Sequence, residues 1–176
     1  MLTPELSFVL HTADPLASGD GKPDAKSLYA ELAPGMGETL ASGAEGSAWR
    51  LSVSKSDSNV KLHAFANFSE AYMPAGGGSA SKPEPGTSLY KTTADRQAAA
   101  SASGHKDQPS MPGTVALRTI DYSKQELSCN EDARSKLAVQ LSGIGCALED
   151  HFGAAQDVEG AVVEGAVYVV QSRPQP

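Results

Sequence analysis

The chemistry in this chain is concentrated near its C-terminus. Asp157 and Glu159 stand two residues apart, as do Gln171 and Arg173, and the apolar segment 160–170 separates the two pairs. Carboxylates offer Mg²⁺ the hard oxygen ligands it takes. A guanidinium can clamp phosphate oxygens through two parallel hydrogen bonds. Brought together on neighbouring strands, these four groups would form a metal–nucleotide site. The same residue types also occur as solvated ends of an edge hairpin, so their relative placement is decisive.

The intervening segment has the composition of a β-hairpin. Val162, Val163, Val167, Tyr168, Val169 and Val170 are β-branched or aromatic, and Glu164-Gly165 lies midway as the turn. Residues i and i+2 of a strand share a face, so Asp157 goes with Glu159 and Gln171 with Arg173. A two-residue loop with unbroken alternation sets residue 159 opposite 170 and sends the two pairs to opposite faces. A three-residue loop containing Gly165, with a bulge, restores the match. The expectation is a bulged hairpin with all four polar side chains on one face.

The elements upstream must hold that hairpin. Residues 6–12 read as a strand, 28–32 as a short strand, and 47–53 and 61–68 as two more, with Asp57-Ser58-Asn59 turning between them. Trp49 and Phe65 are expected in the core, and 114–121 resumes as a strand. Residues 131–152 form the best helix. Leu137, Leu141, Ile144 and Leu148 make a core-facing stripe, Asn130 caps the start and Gly153 the end. Gly143 and Gly145 each weaken that helix by roughly 1 kcal/mol, so close packing on the sheet is expected to explain them. Residues 74–112 carry Gly76-Gly77-Gly78, five prolines and the run 98–103. They read as a disordered low-complexity insertion in a surface loop.

Composition limits the partners. The net charge is −7, from 14 basic and 21 acidic residues, with no basic stripe of the kind that binds nucleic acid. No stretch approaches the length of a membrane span. The two cysteines, Cys129 and Cys146, form no CxxC and read as a reduced pair. The four histidines, His11, His63, His105 and His151, read as structural or solvated; none sits in a nucleophile setting. Gly35, Gly37 and Gly43 could let backbone approach a phosphate, or could simply make a tight strand-to-helix connection. Glu38 is then a first-turn acid or a site carboxylate.

Several segments together resemble one family. Residues 156–160 followed by 168–175 resemble the end of the nucleotide-binding domain of the pyruvate phosphate dikinase and phosphoenolpyruvate synthase family. Residues 7–15 resemble that family's strand and following turn, and 35–43 its glycine-rich segment. More narrowly, residues 4–12, 29–51, 64–70 and 121–124 resemble the phosphoglucan, water dikinases, the plant and algal starch-phosphorylating branch. The resemblance covers roughly 4–72 and 113–176. It implies an α+β fold, the C-terminal lobe of an ATP-grasp domain, formed by 1–73 and 113–176 as a mainly antiparallel sheet with a packed helix. It implies ATP and Mg²⁺ as cofactors, the β-phosphate passing to (phospho)glucan and the γ-phosphate to water, by way of a phosphohistidine on a separate domain. Glu159 and Asp157 would be metal or nucleotide ligands, Gln171 and Glu38 nucleotide contacts, and Arg173 the catalytic contact to the transferring phosphates. The alternatives are an α-glucan, water dikinase, a phosphoenolpyruvate synthase-type dikinase, or a nucleotide-binding module without complete catalysis. The family's N-terminal lobe and phosphohistidine motif have no counterpart here, so the chain reads as a C-terminal fragment. Its localisation would be plastid, and glucan would be met through domains absent from it.

Overall fold

A computed structural model describes residues 4–16, 22–42, 45–74 and 115–176. Its centre is a six-stranded antiparallel sheet in the order β4-β3-β2-β1-β7-β8. The strands are β1 (Leu6–His11), β2 (Ser27–Pro34), β3 (Trp49–Ser54), β4 (Val60–Ala64), β7 (Gln156–Val163) and β8 (Ala166–Pro174). A separate two-stranded ribbon pairs β5 (Glu70–Pro74) with β6 (Val115–Thr119). The helices are α1 (Glu38–Ala41), α2 (Glu126–Cys129) and α3 (Glu131–Phe152), with a 3-10 turn at Tyr122–Lys124. The molecule is α+β and mostly antiparallel.

The sheet has two different faces because side chains alternate along β1, β2, β3 and β7. Leu6, Phe8 and Leu10 on β1 share a face with Leu28, Ala30 and Leu32 on β2, with Trp49, Leu51 and Val53 on β3, and with Val158 and Val162 on β7. That face packs on Leu127 of α2 and on Leu137, Ala138 and Leu141 of α3 in a single cluster. Each large side chain fully buried there contributes about 1.5–3 kcal/mol. The central β1, flanked by β2 and β7, is thus fixed on both edges and from below.

The long helix has the bounds its sequence signals. Asn130 accepts a hydrogen bond from the Ala133 amide at 3.2 Å, and Gly153 closes the helix with φ 69°. Gly145 lies against Leu28, Leu10 and Thr12 and has no room for a Cβ. Close packing explains this glycine but not Gly143, around which nothing lies within 4 Å. The buried stripe runs through Leu137, Leu141 and Gly145, with Ile144 at its margin. Lys55 reaches Glu149 at 2.7 Å and ties the β3–β4 turn to the helix.

Three expectations are corrected. Phe65 is 50% exposed rather than in the core. A register shift between Arg50 and Leu51 accompanies the end of β4 at Ala64, and Phe65 instead lies under the Arg134 guanidinium at 5.3 Å. The strand expected over 61–68 is accordingly shorter, and Ala66 and Phe68 reach the core from the segment after it. The hairpin turn has two residues, Glu164 and Gly165, both at positive φ, with Val163 paired to Ala166. The insertion read over 74–112 falls almost wholly outside the described residues. The cysteines are both free.

Candidate functional site

The hairpin β7–β8 carries the four polar residues, and a bulge decides where they point. From the turn outward, Val163 faces Ala166, Val162 faces Val167, and Gly160 faces Val169. Regular alternation would next set Glu159 against Val170. Instead the register shifts, and Glu159 faces Gln171 while Asp157 faces Arg173. Val170 is the extra residue of this bulge. It reverses the phase of the rest of β8, so all four side chains stand on the face away from α3. The expected bulged hairpin is present, with the bulge in the strand rather than in a three-residue loop. Gly160 is part of the arrangement, since a Cβ there would overlap the Phe8 ring and the Tyr168 carbonyl oxygen.

The groups are in contact. Arg173 donates from Nε to Asp157 Oδ2 at 2.8 Å, and its Nη2 makes an ion-pair contact with the same oxygen at 2.7 Å. Glu159 Oε1 lies 4.0 Å from Arg173 Nη2. The Asp157 side chain is 7% exposed, against 48% for Glu159 and 59% for Arg173. Asp157 Oδ1 is buried with no hydrogen-bond partner, 3.9 Å from an equally buried His11 Nδ1. The Asp157 carboxylate raises the pKa of Arg173, first through the side-chain hydrogen bond and then through its charge, so the guanidinium is charged at every usable pH. Gln171 is exposed opposite Glu159.

Other side chains fasten the hairpin to β1. The Gln156 amide donates to Thr12 Oγ1 at 2.7 Å, and Ser172 Oγ donates to Gln156 Oε1 at 3.0 Å. The Gln175 side chain brackets Ala13, accepting from its amide at 3.1 Å and donating to its carbonyl at 2.9 Å.

The same sheet face continues across β1, β2 and β3. Beside Asp157 come His11, then Tyr29, then Ser52; beside Glu159 come Val9, Glu31 and Arg50. Tyr29 donates to Glu31 Oε1 at 2.7 Å, and Arg50 Nε lies 3.2 Å from that oxygen. Burial first, then the bond to Glu31, holds the Tyr29 hydroxyl well above its ordinary pKa. Ser52 bridges the buried Asp14 at 2.5 Å and His63 at 2.6 Å. The far end of the face is closed by Leu40 of α1 packed with Ala33, Ala48 and Phe68. A pocket of about 140 Å³ remains between that wall and Glu31 and Arg50. A larger cavity of about 380 Å³, beside Gln125, Leu137 and Val162, opens on the helix side of the sheet, away from the carboxylate–guanidinium group.

Sequence reasoning therefore located the four hairpin residues but passed over the polar row that extends them. Tyr29 and Glu31, like Arg50 and Ser52, are alternate residues of their strands, and that spacing was the available signal. Glu38 is the first residue of α1 and is exposed. Among the described residues no hydrogen bond or ion pair links it to the hairpin group. Among the described residues no three His, Cys, Asp or Glu side chains cluster as a metal site. No helix among them is long and apolar enough to cross a membrane.

An antiparallel α+β unit with carboxylates, an amide and a guanidinium on one open sheet face is equipped to hold a polyanion with its cation. No protein-family model matches the chain. It is 29% identical to the chloroplastic alpha-glucan water dikinase of Citrus reticulata, over 99% of this chain and 11% of that protein. The corresponding values for the chloroplastic alpha-glucan water dikinase of Solanum tuberosum are 28%, 99% and 11%. For the rifampicin phosphotransferase of Bacillus subtilis they are 28%, 99% and 15%. The chain is thus related to dikinases and phosphotransferases, and it spans 11 to 15% of the length of the relatives named.

Proposed function

We propose that this chain is a Mg·ATP-binding lobe, of ATP-grasp type, formed by 1–73 and 113–176, in a dikinase acting on glucan. The observation that carries the reading is the bulge at Val170, which sets Glu159, Gln171 and Arg173 on one open face. Similarity to dikinases along 99% of the chain supports it.

The residues fit the group they would hold. Mg²⁺ is commonly bound through one or two carboxylates and the substrate phosphates rather than by an all-protein cage. The Glu159 side chain, half exposed beside a guanidinium, matches that mode. The metal would neutralise phosphate charge. Arg173 commits its Nε–H to Asp157, and its Nη1 donors remain for phosphate oxygens. Gln171 offers an amide beside Glu159. Phosphoryl transfer asks a protein mainly for positioning and charge stabilisation, which these side chains supply. The transfer would give the β-phosphate to glucan and the γ-phosphate to water through a phosphohistidine carried elsewhere in a longer protein. An already phosphorylated glucan in the plastid is the finer reading, resting on the branch-level resemblance of residues 29–51 and 64–70. Alpha-glucan as acceptor is the second reading, favoured by the names of the relatives.

Calorimetry of Mg·ATP binding to this chain, with Glu159→Gln alongside, tests the reading. Saturable binding weakened tenfold or more by the substitution is expected. A folded chain that binds no Mg·ATP, or one in which Glu159→Gln binds equally well, overturns the assignment.

A further inference from the structure

We infer that the two carboxylates of the hairpin divide their work: Asp157 is a positioning residue for Arg173 and ligates no metal, and Glu159 is the metal-facing carboxylate. The inference rests on the nucleotide-site reading and narrows it, since the residue spacing alone assigns both acids to the metal.

The geometry separates them. Nε and Nη2 of Arg173 converge on Asp157 Oδ2, the first as a hydrogen bond at 2.8 Å and the second as an ion pair at 2.7 Å. A cation at that oxygen would meet the guanidinium and have to displace it. The other oxygen, Oδ1, is closed off. It has no solvent-accessible surface to speak of and no hydrogen-bond partner, and His11 Nδ1 stands 3.9 Å away. β7 is an interior strand, so Asp157 is flanked by His11 on β1 and by Arg173 on β8. Mg²⁺ sheds its water shell reluctantly and demands near-octahedral access at 2.0–2.1 Å. A closed oxygen between two side chains provides neither.

Glu159 has the opposite setting. It lies one alternation further along β7, beside Val9 rather than a histidine, and opposite the uncharged Gln171. Its carboxylate is 48% exposed and touches Arg173 only at 4.0 Å. Asp157 acts instead through Arg173. A hydrogen bond from Nε and an ion-pair contact from Nη2 to one fixed oxygen select one orientation of a long side chain that is itself 59% exposed, and leave its other donors outward. A lysine at 173 has no planar fork and could not be held in this way.

The test separates metal from anion. Mn²⁺ affinity of the full chain is read by electron paramagnetic resonance, and affinity for metal-free ATP by calorimetry. Glu159→Gln should weaken Mn²⁺ binding tenfold or more. Asp157→Asn should leave Mn²⁺ binding within twofold but weaken metal-free ATP about fivefold, and Arg173→Lys should do the same. In the double variant Asp157→Asn/Arg173→Lys the losses should not add, because one acts through the other. A loss of Mn²⁺ affinity in Asp157→Asn equal to that in Glu159→Gln overturns the division. Should the chain bind neither Mn²⁺ nor ATP, the nucleotide-site reading fails, and the Arg173 Nε–H resonance still judges the positioning role. Broadening of that resonance in Asp157→Ala upholds it, and an unchanged sharp signal refutes it.

Discussion

Single positions in this chain differ sharply in what they tolerate. Gly160 faces the Phe8 ring and the Tyr168 carbonyl oxygen with no space for a methyl group. Gly160→Ala should therefore lower stability by about 1–3 kcal/mol through overpacking, read as a fall in melting temperature. Gly143 has nothing within 4 Å, so Gly143→Ala should raise stability by about 1 kcal/mol through helix propensity alone. The two substitutions are chemically identical and should move the melt in opposite directions. Residue chemistry was the most legible level of the sequence: the types at 157, 159, 171 and 173 announce a charged site before any coordinates. His11 was not legible in that way. It ends the apolar run Phe8-Val9-Leu10, and only its pairing across β1 and β7 puts it beside Asp157.

At the scale of elements, the hairpin and the long helix follow from patterns that are local. Alternation and β-branching mark β7 and β8, and Asn130 and Gly153 mark the ends of α3. The position of the bulge does not follow. Val169 and Val170 are the same residue type, and no glycine distinguishes one from the other, so tertiary register chooses between them. The Leu, Phe and Val face of the sheet must stay on α3, while Asp157 is held by its partner. Deleting Val170 tests that choice. With the extra residue gone, unbroken alternation keeps Gln171 opposite Glu159 and Arg173 opposite Asp157, so the site pairs should survive and Mg·ATP affinity should stay within twofold, measured by calorimetry. A tenfold loss would show that the bend made by the bulge, and not the pairing alone, places these side chains. Phe65 failed as a core prediction for the same reason. Its strand pattern continues in sequence, whereas the pairing with β3 ends at Ala64.

On the scale of the whole molecule, the six-stranded sheet has two outer strands, and the separate ribbon is joined by a 40-residue connection, residues 75–114. β5 ends at Pro74 and β6 begins at Val115, and these two residues are paired. The connection 75–114 therefore leaves and returns at one point. Replacing it by a four-residue turn should keep the ribbon and raise stability slightly, because a tenfold shorter loop saves roughly 2 kcal/mol of closure entropy at most. A melting temperature reduced by ten degrees or more would mean that the connection contributes contacts of its own. The α+β class was visible from the alternating and helical patterns together. The polar face spanning five strands was not, since it exists only once β1, β2, β3, β7 and β8 lie side by side.

The bulge in β8 has one more consequence, for how copies of this chain behave in crowded solution. β8 is the outer strand at its end of the sheet, and Tyr168, Val169 and Val170 are exposed on it. A flat strand with such side chains invites a second molecule to add a strand of its own and begin an aggregate. The extra residue bends and twists this border, and Arg173 and Pro174 follow it with a charge and a missing amide donor. The irregularity that faces the site residues outward also spoils the template a neighbouring chain would copy.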